Sequence, residues 1–294
     1  MSIVMIMEKI MDYIVGNPKK MLMVSLLLLA ACMLFLGCKY MQTGEIVERS
    51  IDFKSGTQAV IEYRGDIDVG DATQLVHDKY GTTARVRILS GMTKTMVIET
   101  DKDVTKEEVG EIANALNIDV VGQSMQSIGA ALGEAFWRQA LSAIAVAFLA
   151  MAIVVFITFR SPVPSLAVIL AGVSDIVAAL VGMNLLGIQL SMGTLAGLLI
   201  LMGYSIDTDI LLSTRVIKRR GEDTLDERIK SSMKTGITMS TTSIIAMLVL
   251  FMVSSSPALD DIALVIIMGL LADIPFTWLQ NVGILRIHME RMGK

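Results

Sequence analysis

Six long runs of apolar residues constrain the fold of this chain more than any other feature of its sequence. They lie near residues 20–38, 139–159, 163–185, 190–212, 236–254 and 260–285. A helix of roughly 20 apolar residues is long enough to cross the hydrocarbon core of a bilayer. With 53% hydrophobic and only 18% charged residues, the chain is also too apolar for an ordinary soluble domain. The sequence therefore predicts an α-helical membrane protein with six transmembrane helices.

The distribution of basic residues predicts the orientation of these helices. Lysine and arginine are concentrated on one side, at Lys19, Lys20, Arg160, Arg215, Lys218, Arg219, Arg220, Arg228, Lys230, Lys234, Arg286, Arg291 and Lys294. The loops on the other side, residues 186–189 and 254–261, contain neither. Because basic loops remain in the cytoplasm, we expect both termini to be cytoplasmic in a multi-pass protein of the cell membrane.

This orientation gives a domain plan. It comprises a cytoplasmic N-terminus (1–19), a first transmembrane helix (20–38), an extracytoplasmic domain (39–137), a five-helix transmembrane bundle (138–285) with a basic cytoplasmic loop (213–235), and a cytoplasmic tail (286–294). A competing hypothesis takes residues 35–38, Phe-Leu-Gly-Cys, as a lipoprotein cleavage site. Cleavage there would leave five spans, an arrangement that also satisfies the charge rule.

Several classes of function are disfavoured by composition. The net charge of −4 and the dispersal of basic residues over short loops argue against a nucleic-acid partner. Cys32 and Cys38 lie six residues apart on one predicted helix, roughly 9 Å by helical rise, so we expect free thiols. His77 and His288 form no metal-binding motif, and we therefore expect neither a metal centre nor another cofactor.

The segment between the first two spans has the pattern of a soluble α+β domain. Strands are predicted at 57–63, 83–89, 95–100 and 118–123, and helices at 71–80 and 105–116, with a hairpin turn at 90–93. The order strand, helix, strand, strand, helix, strand is that of a ferredoxin-like sandwich. The segment contains no catalytic motif, so we expect it to contact a partner or a passing chain.

Four carboxylates fall inside the apolar runs: Asp175, Asp207, Asp209 and Asp273. A central Asp costs about 2.5–3.5 kcal/mol on insertion scales, and no Lys or Arg lies at a comparable depth in the sequence. We therefore expect these acids to face the bundle interior, where they are candidates for a proton relay. Packing without proton transfer is the alternative at each position.

The local sequence favours Asp207 among the four. Asp209 points about 160° away from it on an ideal helix and lies nearer the interface, as expected of a solvated acid at a helix end. Asp175 follows Ser174, a possible hydrogen-bond donor. Asp273 precedes Pro275 by two residues, and a proline frees a backbone carbonyl around which polar groups gather.

Small and hydroxylated residues predict a close helix–helix contact. Gly193 and Gly197 form a GxxxG motif in the fourth span, and hydroxylated residues lie at the start of the fifth: Thr238, Ser240, Thr241, Thr242 and Ser243. Small residues let transmembrane helices approach each other, so we expect these two spans to pack together. The threonines would serve this packing or hydrogen-bond the acids.

Several motifs, in order along the chain, resemble those of SecF protein-export subunits. Residues 50–57, Ser-Ile-Asp-Phe-Lys-Ser-Gly-Thr, are similar to the Gly-Ile-Asp-Phe-x-Gly-Gly-Thr signature of that family, with matches at Asp52, Phe53, Gly56 and Thr57. Arg138 and Gln139 resemble its entrance to the second span. Residues 203–206, Gly-Tyr-Ser-Ile, resemble its fourth span, and Thr238, Thr241 and Thr242 its fifth.

The chain departs from this resemblance at one important position. Bacterial SecF chains carry Asn-Asp-Thr after Gly-Tyr-Ser-Ile, whereas this chain has Asp207-Thr208-Asp209. The family's acid therefore falls on Thr208, and Asp207 matches the acid of SecD subunits instead. The sixth span also differs from the bacterial pattern and looks archaeal.

The resemblance implies an auxiliary subunit of the Sec translocase, a member of the resistance-nodulation-division superfamily and not an enzyme. Its implied partners are a SecD-type subunit, a SecY-type channel and exported polypeptides, and its implied energy source is the proton gradient. A half-size transporter of lipids or small molecules from the same superfamily is the main alternative. An intramembrane aspartyl protease is a weaker one, because the Gly-x-Gly-Asp setting is absent.

Overall fold

The computed structural model describes residues 3–91, 93–217 and 223–292. Met92 of the predicted hairpin turn, Lys218, Arg219 and Arg220 of the predicted basic loop, and Lys294 lie outside the described residues. The described chain forms a bundle of long helices and one α+β domain inserted after the second helix.

Six helices of the described chain are long and apolar enough to cross a membrane. They are α2 (Pro18–Thr43), α5 (Ala130–Phe159), α6 (Pro162–Leu186), α7 (Met192–Ile217), α8 (Leu225–Val253) and a continuous helix made of α9 (Pro257–Pro275), a π-helical turn (Phe276–Asn281) and α10 (Val282–Arg291). Three of them begin at a proline. Proline has no backbone N–H, but the first turn of a helix does not use that group, so proline is well tolerated there. The predicted six-helix fold class is thus confirmed.

A further helix, α1 (Ile3–Gly16), precedes the first span where the sequence predicted only a cytoplasmic tail. It runs antiparallel to the start of α8, because Asp12 pairs with Lys230 and Glu8 with Lys234. Apolar residues spaced three and four apart form its buried face: Met11, Ile14 and Val15. This face packs in one cluster with residues of α7, α8 and α10.

The α+β domain has the predicted ferredoxin-like order. Its elements are β1 (Gly56–Arg64), α3 (Val69–Tyr80), β2 (Arg85–Ser90), β3 (Lys94–Thr100), α4 (Lys106–Ala115) and β4 (Asp119–Ile128). The four strands form an antiparallel sheet in the order β2-β3-β1-β4, with Ala59 opposite Ile98 and Met125. One face of the sheet packs against the two helices around a core that includes Ile61, Val76 and Ile112.

Side chains define where the two helices of this domain begin. The carboxylate of Asp68 accepts hydrogen bonds from the backbone of Gly70 and Asp71 at the start of α3. Thr105 and Glu108 form a reciprocal capping box at the start of α4. Both devices satisfy backbone donors that a first helical turn leaves unpaired.

The segment that enters the α+β domain also fastens it to the bundle. Its backbone pairs with the loop before α7, where Ser50 N donates to Leu190 O (2.8 Å) and Leu190 N donates to Glu48 O (2.7 Å). The carboxylate of Asp52 accepts a 2.8 Å hydrogen bond from the backbone of Met192, the first residue of α7. The domain is therefore connected to α7 through backbone and side-chain contacts as well as through the chain itself.

The remaining signature residues of segment 50–57 have structural positions. Phe53 is buried in the main bundle cluster and packs edge-to-face on Trp137, with ring centroids 5.7 Å apart. A Cβ atom at Gly56 would lie 2.4 Å from the carbonyl oxygen of Thr100, so only glycine fits there. Thr57 is buried beside Ser127. Close packing explains these signature positions.

Candidate functional site

Three of the four intramembrane acids meet inside the bundle. Asp175 from α6, Asp209 from α7 and Asp273 from α9 are each 0% exposed, and their carboxyl groups lie within electrostatic range of one another. We call these three residues the acid cluster. Buried acids at membrane depth are costly and mark functional positions, so this cluster is the candidate site.

Hydroxyl groups bridge the members of the acid cluster. Thr277 Oγ1 lies 2.7 Å from Asp273 Oδ1 and 3.1 Å from Asp209 Oδ1. Thr208 Oγ1 lies 3.3 Å from both carboxylate oxygens of Asp273. A hydroxyl both donates and accepts a hydrogen bond, so Thr277 can connect Asp273 to Asp209, whereas Thr208 contacts only Asp273 among the three acids.

Asp175 and Asp209 each have a further polar partner. The hydroxyl of Ser205, also buried, donates to Asp175. The side-chain amide of Asn281 donates to Asp209 Oδ1 over 2.7 Å. On the α8 side, Ser240 Oγ lies 3.5 Å from Asp273 Oδ2. Among the described residues the partners of the acid cluster are thus hydroxyl and amide groups, and the hydroxyl protons can reorient without moving a helix.

The hydrogen bonds of the acid cluster leave some oxygens unused. Asp175 Oδ1 and Asp209 Oδ2 are buried and have no hydrogen-bond partner among the described residues. A carboxyl group with an unused oxygen can take up a proton there without breaking an existing bond. The arrangement is therefore chemically suited to proton uptake and release.

A proline followed by a π-helical turn presents the polar residues of the last span to the site. Pro275 has no backbone N–H to donate to the preceding turn, and the helix widens over Phe276–Asn281. Thr277, Gln280 and Asn281 are all 0% exposed, and Gln280 reaches Ser174 on α6 (3.3 Å). Such π-bulges are frequent at functional sites.

Asp207 does not join the acid cluster, so the expectation that it faces the bundle interior is wrong. It is exposed, whereas Asp209, expected to be a solvated acid at a helix end, is fully buried. The two residues lie on nearly opposite sides of α7, and the face that packs inside carries Leu201, Ser205 and Leu212. Thr208, at the family's acid position, also points into the cluster.

Thr208, Thr277, Gln280 and Asn281 are site residues that the sequence reasoning missed. The last three are polar residues one to two turns after Asp273 in an otherwise apolar run. Their spacing of four, seven and eight residues from Asp273 follows one helix face. This spacing could have identified Thr277, Gln280 and Asn281 as neighbours of Asp273 from the sequence.

The GxxxG motif packs against a different span from the one expected. A Cβ atom at Gly193 would lie 3.0 Å from Ala258 O, and one at Gly197 would lie 3.2 Å from Val265 Cβ. Both neighbours belong to α9, the start of the sixth span, and not to the fifth. The small residues therefore allow the close approach of α7 and α9, the two helices that carry Asp209 and Asp273.

Thr238, Thr241 and Thr242 do not pack between helices of this chain, contrary to expectation. All three are exposed on α8. Their hydroxyl groups donate to carbonyl oxygens of their own helix, at Lys234, Ile237 and Met239 respectively. Arg138 and Gln139, near the start of α5, are also exposed.

Comparisons with known proteins agree with this fold. Residues 108–291 match the family model described as protein export membrane protein SecD/SecF, C-terminal. The protein-export membrane protein SecF of Methanothermobacter thermautotrophicus is 43% identical over 251 residues, which cover 83% of this chain and 85% of that protein. SecF of Pyrococcus furiosus is 38% identical over 294 residues, covering 98% of this chain and 97% of that protein.

A solved structure has the same fold. The structure of SecDF, a translocon-associated membrane protein from Thermus thermophilus, superposes with a TM-score of 0.72 at 23% identity, covering 94% of this chain and 38% of that chain. This chain therefore spans well under half the length of the solved protein. By its family match, its similarity to full-length relatives and its six apolar helices, the chain is a multi-pass membrane protein and belongs to the SecF family of protein-export membrane proteins.

Proposed function

We propose that this protein is an auxiliary subunit of the Sec translocase that uses the proton gradient to promote export of polypeptides across the cytoplasmic membrane. The family assignment supports the export role. The observation that carries the proton role is the acid cluster, in which Asp209 and Asp273 share the hydroxyl of Thr277 at 3.1 and 2.7 Å. One charge moving through 100 mV yields about 2.3 kcal/mol, which is available for work on the exported chain.

The hydroxyl bridge provides a route for the proton. When Asp273 is protonated and Asp209 is ionised, Thr277 Oγ1 can accept the proton of Asp273 while it donates its own to Asp209. The hydroxyl of Thr277 is restored, and one proton has moved from Asp273 on α9 to Asp209 on α7. The same exchange can run through Ser205, which contacts both Asp175 and Asp273: its hydroxyl donates a proton to Asp175 while it accepts one from protonated Asp273.

The proposal includes a SecD-type partner, a SecY-type channel and exported polypeptides as the proteins that this chain contacts. The solved SecDF chain is much longer than this one, which covers 38% of it. The exposed hydroxyls of Thr238, Thr241 and Thr242 on α8 donate within their own helix, and their oxygens can still accept hydrogen bonds from a second membrane subunit. Purification from native membranes tests this part, and recovery without a homologous six-span subunit would contradict it.

We also propose an orientation of the chain in the membrane. Both termini face the cytoplasm and the α+β domain faces outward, as the distribution of basic residues predicts. Labelling of single introduced cysteines with a membrane-impermeant reagent tests this topology. Labelling of intact cells is expected at Gln123 on β4 and not at Glu290 near the C-terminus.

Two acids on α7 provide a matched test of the proton role. Asp209→Asn keeps the size of a buried side chain but removes its ability to carry a proton, and we expect it to abolish the stimulation of export by an imposed proton gradient. Asp207→Asn makes the same chemical change at an exposed position, and we expect wild-type export.

The same assay distinguishes the alternatives. Gradient-stimulated export that survives Asp209→Asn, Asp175→Asn and Asp273→Asn would reduce the acid cluster to a packing role. Proton-coupled flux of a small molecule by the purified chain, without any effect on export, would instead support a half-size transporter.

A further inference from the structure

A buried ion pair joins the α+β domain to the last span. Arg87 on β2 extends from the sheet, and its Nη1 lies 2.8 Å from Asp261 Oδ1 in the first turns of α9. Its Nη2 lies 3.7 Å from Glu99 Oε1 on β3. The side chains of Asp261 and Glu99 are only 6% and 7% exposed, and that of Arg87 is 29% exposed, so the two carboxylates are buried and the guanidinium partly so. This contact is therefore unlike an ordinary surface salt bridge, which contributes little.

Acidic groups converge on this one guanidinium. Glu99 from β3 and Asp260 and Asp261 from α9 act on Arg87, and Asp52 acts on Glu99 from the segment before β1. Neutral groups complete the network: Gln58 donates to Glu99 over 2.7 Å, and Ser191 donates to Asp261 Oδ2 over 3.3 Å. Loss of the arginine would leave buried acids without their cation, which is strongly unfavourable.

The surrounding contact between domain and bundle is not tightly filled. A cavity of about 340 Å³ lies there, lined by Gln58, Arg87, Glu99 and Asp261 together with the start of α7. Apolar packing therefore does not by itself fix the domain against α9. The polar network around Arg87 forms this contact together with Thr93 of the β2–β3 turn, whose Oγ1 donates to Ser255 Oγ, just before α9, over 2.7 Å.

The helix that Arg87 holds is the helix that carries Asp273. Asp261 and Asp273 are twelve residues apart on α9, about 18 Å along a rigid helix, and both precede Pro275. We propose that Arg87 is a positioning residue that fastens the α+β domain to α9, so that movements of α9 at the acid cluster are transmitted to the domain. The transmission rests on the proposed function, whereas the fastening does not.

A matched control lies two residues earlier on the same strand. Arg85 pairs with Glu48, but the two side chains are 39% and 45% exposed. That pair contacts the segment before β1 and not α9. Substitution of Arg85 therefore removes a similar charge from the same sheet without releasing α9.

The experiment measures the distance between domain and bundle by spin labels in the complete complex in nanodiscs. Labels at Gln123 on β4 and Leu186 at the end of α6, both exposed, report the separation once Cys32→Ser and Cys38→Ser remove the native thiols. We expect Arg87→Glu and Asp261→Arg each to shift the distribution to longer, broader distances. The double variant restores the ion pair with reversed charges and is expected to restore the wild-type distribution. Arg85→Gln, which removes this exposed charge without placing a second carboxylate beside Glu48, is expected to leave the distribution unchanged.

Each result has a defined meaning. An unchanged distribution in Arg87→Glu, or a double variant that folds but does not recover, overturns the fastening. If the charge reversals do not fold, Arg87→Gln and Asp261→Asn are measured instead. Wild-type distances in both of these variants would overturn the proposal that Arg87 fastens the domain to α9. In sealed proteoliposomes, which hold a pH difference across the membrane, a pH gradient should shift the wild-type distances but not those of Asp273→Asn. If the ion-pair variants behave as expected but the pH gradient does not shift the wild-type distances, the fastening stands and the proton-driven transmission is refuted.

Discussion

Thr277 allows the most specific test of the bridged acid cluster. Its hydroxyl lies within hydrogen-bond distance of both Asp273 and Asp209, and its side chain is 0% exposed. Thr277→Val replaces the hydroxyl by a methyl group of similar size. The substitution therefore removes the bridge without leaving a cavity.

The structure sets the size of the expected effect. A hydroxyl has one proton to donate, so the variant loses one donated hydrogen bond, and an accepted one as well when Asp273 is protonated. A hydrogen bond to a charged group contributes about 1.5–3 kcal/mol, and one between neutral groups about 1 kcal/mol. We expect the free energy of unfolding to fall by about 1–3 kcal/mol, according to the charge on the acceptor.

Two assays on the same variant separate stability from function. Thermal unfolding of the complex in nanodiscs measures the first, and export into inverted vesicles with and without a proton gradient measures the second. We expect Thr277→Val to lose most of the gradient-dependent export and to keep the gradient-independent part. Thr277→Ser retains the hydroxyl and is expected to retain both. Equal gradient stimulation in Thr277→Val and wild type would refute the bridge.

Three further predictions concern the α+β domain and its junction with the bundle. Burial raises the pKa of Glu99, although Arg87 opposes the shift. The folded protein therefore binds this proton more tightly than the unfolded chain does. The free energy of unfolding then falls as the pH rises from the ordinary glutamate pKa through the raised one. Glu99→Gln should flatten that part of a thermal-unfolding pH profile, and an unchanged slope would contradict the assignment. A Cβ atom at Gly133 would lie 1.9 Å from the backbone oxygen of Lys54, so Gly133→Ala should lower the unfolding free energy by roughly 1–3 kcal/mol. Nothing lies within 4 Å of a Cβ atom at Gly110, inside α4, so Gly110→Ala should raise the unfolding free energy by about 0.4–1 kcal/mol. Denaturant unfolding measures the effect of each alanine variant.

Local sequence patterns were sufficient to predict the spans and the order of the α+β domain. Apolar runs that match the bilayer thickness, and alternation between strand and helix periods, are properties of short segments. The helix α1 was missed although its charged residues, Glu8, Lys9 and Asp12, lie on one face, a pattern that indicates an amphipathic helix. Its partner face on α8 becomes visible only when the pairs of Glu8 and Asp12 are known.

The acid cluster was harder to predict, because its formation depends on helix rotation. The depth of Asp207 and Asp209 can be estimated from their position in the span, but the side of α7 that faces inward depends on packing. The face of α7 that carries Leu201, Ser205 and Leu212 packs inward, which places Asp209 inside the bundle and Asp207 outside. The π-helical turn after Pro275 adds a local change of phase that an ideal helix does not contain.

Proton flux through the reconstituted complex tests the central claim most directly. The chain is incorporated into liposomes with its SecD-type partner, and a pH-sensitive dye reports acidification under an imposed potential. We predict flux with the wild type and with Asp207→Asn, and none above empty liposomes when Asp175, Asp209 and Asp273 are all replaced by asparagine. Wild-type flux in that triple variant would contradict the assignment of proton transfer to the acid cluster.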